Sequence, residues 1–220
     1  MWKALALKEL RETAWIGGIA AAVLAYYVIY ATGYDLLFMQ PSPNRGYIPF
    51  FFDQLFIGPY FFVAVACALA LGFRQSAWES IRGTYVFLIH RPISREGLFG
   101  IKLAVGLGLH LAVTGLAILA FALWAAVPGT HASPFYWSMT SWEWMVWLSM
   151  SVLYFAAFLS GIRDARWYGT RLFPLLAAVP VVMVVDALPV YWVYRVALVV
   201  ATNVLYVAAI FHVVRNRDYP

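Results

Sequence analysis

Residues 98–126, LFGIKLAVGLGLHLAVTGLAILAFALWAA, decide how the chain is read. A helix needs about 20 apolar residues to cross a hydrocarbon core of roughly 30 Å, and this run holds Lys102 and His110 as its only ionisable side chains. Working outward, five more runs are bounded by charge, Gly or Pro: 15–33, 50–73, 143–161, 172–188 and 191–214. They predict an all-α, polytopic membrane protein with about six transmembrane helices in a single domain over 1–220. The fifth run contains Pro174 and Pro180 and meets Asp186 and Pro189 at its end. A short span, a kinked span and a re-entrant segment all stay open for it, since backbone groups freed by proline cannot face lipid.

Composition agrees. Hydrophobic residues make up 64% of the 220 and charged residues 11%, which excludes an ordinary water-soluble domain. Aromatics reach 18%, with 10 Trp and 14 Tyr, as expected of helices that meet lipid headgroups at two interfaces. FYWSMTSWEWMVW (135–147), with Trp137, Trp142, Trp144 and Trp147, reads as such an aromatic belt. Cys67, the one cysteine, lies in an apolar run without metal-ligand companions and reads as a small packing residue. The net charge of +5 is scattered between apolar runs, so no nucleic-acid partner is expected.

The basic residues report topology. Lys3, Lys8 and Arg11 precede the first run; Arg74, Arg82, Arg91, Arg95 and Lys102 join the second to the third. Arg163, Arg166 and Arg171 join the fourth to the fifth, and Arg215 and Arg217 follow the sixth, so 13 of 15 lie on one side. Arg45 and Arg195 fall on the other, together with Asp35, Asp53, Glu143 and Asp186. The positive-inside bias makes both termini cytoplasmic and the protein a multi-pass component of the cell inner membrane.

The opening MWKALALKELRETAW (1–15) puts Trp2, Leu5, Ala6, Leu10 and Trp15 along one helical side and Lys3, Lys8, Glu9, Arg11 and Glu12 elsewhere. An interfacial helix over 1–14, apolar side in the acyl chains and charges in water, is the expectation. The other reading is a simple extension of the first span. No cleavage pattern marks the first run as a signal, so it is expected to remain. Small residues recur every fourth position at Gly17, Ala21 and Ala25 and at Ala104, Gly108 and Ala112, the pattern that lets helices approach closely, within one chain or between two.

ESIRGTYVFLIHRPISREGLFGIK (79–102) is too amphipathic for a bare loop and too charged to cross a bilayer. Gly83 and Pro92 are natural breaks, and Ser94 reads as the N-cap of the helix entering the third span. A helix, a break and a second helix projecting from the membrane follow. Here the sequence resembles the first cytoplasmic connection of type-2 ABC transporter permeases, in Glu79, Gly83, Thr84, Leu88, Pro92, Ser94, Arg95 and Lys102 at matching spacing. KELRE (8–12) resembles that family's N-terminal interfacial helix. The resemblance implies the membrane subunit of an exporter, working with a second permease copy or a homologous permease and a cytosolic ABC ATPase subunit. Residues 74–97 would then be the coupling segment, with Glu79, Arg82, Gly83, Thr84, Leu88, His90, Arg91, Pro92, Ser94 and Arg95 at the ATPase contact. ATP and magnesium would sit on that partner: no GxxxxGK[ST] loop occurs here, and this chain is not expected to bind a cofactor or a metal or to be an enzyme.

Polar groups at membrane depth are the remaining candidates. His110 and Asn203 could face a substrate path or hydrogen-bond between helices. Asp186 and Arg195 flank a tight hairpin and could form a gate, pair, or snorkel to water. Little extramembrane mass favours an amphipathic or lipid-like cargo. Two rival classes share this topology. An intramembrane protease would use the His212 and Asn216 pair, but lacks a paired-glutamate motif, a GxSxG elbow and an HExxH helix. A noncatalytic scaffold or sensor would lack an ATPase partner.

Overall fold

A computed structural model describes residues 2–37, 40–41, 54–82, 94–131, 134–164, 170–187 and 191–216. Among them, six α-helices account for nearly all regular structure: α1 Trp2–Ala31, α2 Gln54–Arg82, α3 Arg95–Ala125, α4 Ser141–Ile162, α5 Phe173–Ala187 and α6 Trp192–Asn216. A two-residue antiparallel pair, β1 Tyr34–Asp35 with β2 Gln40–Pro41, follows α1. Short 3-10 turns precede α4 at Trp137–Thr140 and α5 at Thr170–Leu172.

The chain is an all-α, multi-pass membrane protein. Five helices are long and apolar enough to cross a bilayer, and each lies over a predicted run. The fifth run forms the exception: α5 has 15 residues, about 22 Å of helix, so by length it falls short of a core of roughly 30 Å. Pro180 lies inside it without ending it.

Antiparallel succession brings the start of α1, the end of α2, the start of α3 and the end of α6 to one pole. Lys8 reaches Glu79 at 3.3 Å, Lys102 reaches Glu79 at 2.7 Å, and Arg215 reaches Glu96 at 2.7 Å. The end of α4 is there too, where Arg171 donates to the carbonyls of Ser160 and Gly161 at 3.1 and 2.7 Å. We call this the basic pole.

At the centre stands α4, whose residues from Ser149 to Ile162 are all buried. Glycines let α2 lie against it: a Cβ on Gly72 would meet the backbone of Tyr154 and the Cβ of Ala157, and one on Gly161 would meet Ser76 and the Ala77 amide. Gly106 of α3 likewise makes room for Gln75 and Tyr154. The stripes singled out by spacing behave differently. Gly17 does receive Leu109 of α3, but Ala21 and Ala25 are exposed, as are Ala104, Gly108 and Ala112. Among the described residues that third-span stripe meets no other helix.

The outer faces are apolar, as lipid-facing surface must be. On α6, Val204 and Leu205 are 62% and 70% exposed. By contrast Asn203 turns inward and donates to Ser151 Oγ at 2.6 Å, and Tyr206 donates to the Pro174 carbonyl at 2.7 Å. Asn203 therefore takes the interhelical role.

The N-terminal stretch is helical, as expected, and continues directly into the first span: α1 runs unbroken from Trp2 to Ala31. Leu5 packs on Leu98, and the Trp2 indole fills the space over Gly97. With α1, α2 and α3 at 30, 29 and 31 residues, each is about 45 Å long. Each therefore exceeds a hydrocarbon core by some 15 Å, and the charged residues place that excess at the basic pole.

Candidate functional site

At the inner end of this three-helix extension lies a buried ion cluster. The Lys102 ammonium, with no exposure, donates to Glu9 of α1 at 2.8 Å and to Glu79 of α2 at 2.7 Å. Glu9 and Glu79 are 1% and 4% exposed. Lys8 adds contacts to Glu9, Glu12 and Glu79 at 3.2, 3.2 and 3.3 Å, and Arg74 reaches Glu12 at 3.8 Å. Three carboxylates thus face three cations.

Three carboxylate oxygens of Glu9, Glu12 and Glu79 fall within 4.8 Å of one another, a spacing that a metal ion could use. Here Lys102 already bridges two of them, so the cationic charge comes from the chain itself. Burying the charges is costly, and the shared geometry is what offsets the cost.

A second, neutral network braces the cluster. Gln75 donates to the Lys102 carbonyl at 3.0 Å, and Tyr154 of α4 donates to Gln75 Oε1 at 2.7 Å. The tyrosine hydroxyl also lies 3.3 Å from the Leu103 carbonyl. Through these contacts the central helix holds the backbone from which Lys102 projects.

The cluster sits at the foot of the α2–α3 connection: Glu79 comes just before that segment and Lys102 just after it. Of the residues expected at the partner contact, Gly83, Thr84, Leu88, His90, Arg91 and Pro92 lie outside the described residues, as does the Arg82 side chain. Ser94 is the expected N-cap, its Oγ accepting from the Gly97 amide at 3.2 Å. Arg95 is exposed in the first turn of α3. Glu79 is not available at a surface: it is a buried anchor. Glu9, expected in water, is buried as well.

The deeper candidates separate. His110 is fully buried, and neither ring nitrogen meets a hydrogen-bond partner among the described residues. One turn on, Thr114 donates to the His110 carbonyl at 2.7 Å. Tyr60 of α2 and Thr114 of α3 are fully buried as well. Glu143, expected at the outer end of the fourth run, lies buried in the first turn of α4. Arg195 is half-buried in the first turn of α6. The Asp186 side chain lies outside the described residues, and with it the choice between a gate, a pair with Arg195 and snorkelling to water. His212 and Asn216 do meet, at 3.1 Å, but both are exposed at the end of α6.

Fold and site define a multi-pass helical membrane protein whose first three helices are ion-locked at one pole. Comparison with protein families, with curated proteins and with solved structures finds no match to the chain.

Proposed function

We propose that this chain is the membrane subunit of an ATP-driven exporter of the type-2 ABC class. It would lie in the cell inner membrane with the basic pole in the cytoplasm, pair with a second permease subunit, and take its force from a separate cytosolic ATPase that binds ATP and magnesium. The observation that carries this reading is the clamp at the base of the α2–α3 connection. Glu79 and Lys102 flank a charged segment in the sequence, and their 2.7 Å pair joins the end of α2 to the start of α3. Glu9 then ties that junction to α1 at 2.8 Å.

A loop hung on two independent helix ends would absorb a push; one whose ends are joined through a buried ion pair delivers it to all three helices. Side chains such as Arg82, His90 and Arg91 suit charge-complementary docking on a partner groove. The cargo that fits a path with little extramembrane mass is amphipathic or lipid-like.

The reading is tested by reconstituting the chain with its candidate ATPase. Arg91→Ala, at the docking tip, is expected to lower transport-coupled ATP hydrolysis while leaving the chain folded. Lys102→Met is expected to lower coupling even where docking persists. Full coupled activity in both variants would reject the assignment.

A further inference from the structure

The face that α1 and α2 turn away from the bundle carries a groove in two continuous lobes. One, of about 510 Å³, runs from Ala70 past Arg74 and Trp78. The other, of about 360 Å³, continues past Cys67 to Phe62. Trp15, Ile16 and Ala70 line both, and the walls stand open to the surroundings: Trp15 is 58% and Phe62 73% exposed.

A single charged side chain lines the groove among the described residues: Arg74. Its guanidinium stands 5.4 Å from the Trp78 ring centroid, and its contact to Glu12 is long, at 3.8 Å. A guanidinium offers five N–H donors in a fork suited to phosphate, so this one has capacity beyond the glutamate. Its depth fits as well. Arg74 lies beside the ion cluster, where the charged extension gives way to apolar helix. From Arg74 to Phe62 is 12 residues along α2, about 18 Å. Half of a hydrocarbon core is about 15 Å.

We propose that this groove is a phospholipid site. The phosphodiester sits on Arg74 at the headgroup level, and an acyl chain lies along Trp15, Ile16 and Ala70 as far as Phe62. Trp78 and Trp15 flank it as amphipathic anchors. A bare apolar face would take any lipid; the cation at one end of a leaflet-length channel is what selects a phosphate-bearing one. The site requires no ATPase, and it stands or falls separately from the exporter reading.

The experiment uses the full chain reconstituted in vesicles of phosphatidylethanolamine and phosphatidylglycerol, extracted in mild detergent and examined by native mass spectrometry. One phospholipid retained per chain is expected. Arg74→Gln should lower retention about tenfold, since a hydrogen bond to a charged group is lost. Lys3→Gln, an exposed cation elsewhere on α1, should leave it unchanged. Ala70→Trp, which fills the junction of the lobes, should lower it as well and carries the test if Arg74→Gln fails to fold. Retention indifferent to both Arg74→Gln and Ala70→Trp would overturn the proposal. So would equal retention of a free fatty acid, or a disulfide between two Ile19→Cys chains showing that a second copy fills the groove.

Discussion

Lys102, read in the sequence only as a basic residue of the α2–α3 connection, lies inside an apolar run, where a lysine demands an acidic partner. Its partners could not be named from spacing: Glu9 lies 93 residues away, and only the packing of α1 on α3 brings it in. The cluster gives a sharp expectation. Lys102→Met leaves two adjacent carboxylates buried without their bridging cation and should destabilise the protein by about 3–5 kcal/mol. Adding Glu9→Gln and Glu79→Gln should recover most of that loss. Thermal unfolding of the detergent-solubilised variants checks both, and a neutral Lys102→Met would deny the cluster its structural role. His110 makes the opposite case. With no partner at either nitrogen, it gains nothing from its polarity within the described fold. His110→Leu is therefore expected to be neutral or stabilising, and a loss above about 2 kcal/mol would point to a hydrogen bond.

At the scale of elements, hydropathy located the six α-helices among the described residues because the requirement to satisfy backbone groups inside lipid leaves few alternatives. The faces of those helices were harder to read. On α1 the apolar side chains Trp2, Leu10 and Trp15 were expected to lie among acyl chains, and all three are exposed, whereas Glu9, expected in water, lies on the buried stripe with Leu5, Thr13 and Ile16. In a water-soluble helix the polar side faces out; beside lipid and a three-helix stalk, a charged residue can be the one that needs the interior. The small-residue stripes left a related choice open, within one chain or between two. Spacing of four marks a smooth helix surface, but whether a neighbour lies on it depends on the bundle. Gly161→Leu should cost about 1–3 kcal/mol by forcing α2 off α4, whereas Ala104→Leu, on the exposed side of α3, should be tolerated in the solitary chain. Equal melting temperatures for the two would refute this contrast. The cap of α3 was legible outright, because a serine three residues ahead of an amide at a helix start has one obvious use. Ser94→Ala should cost about 1 kcal/mol.

For the whole molecule, the basic residues told which helix ends share a pole, and the pairs Lys8 with Glu79 and Arg215 with Glu96 place them together. What a sequence of spans does not reveal is that α1, α2 and α3 outrun the membrane together and are fastened there. That fastening ties α1 to the end of α2 and the start of α3 as a three-helix stalk. The exporter reading assigns that stalk to receiving force, and it is tested most directly where the force would enter. A photo-crosslinking side chain placed at position 91 of the full protein, in its native membrane, should join it to a cytosolic chain that binds ATP. A crosslink found only to lipid, or none at all while the protein is intact, would contradict the account.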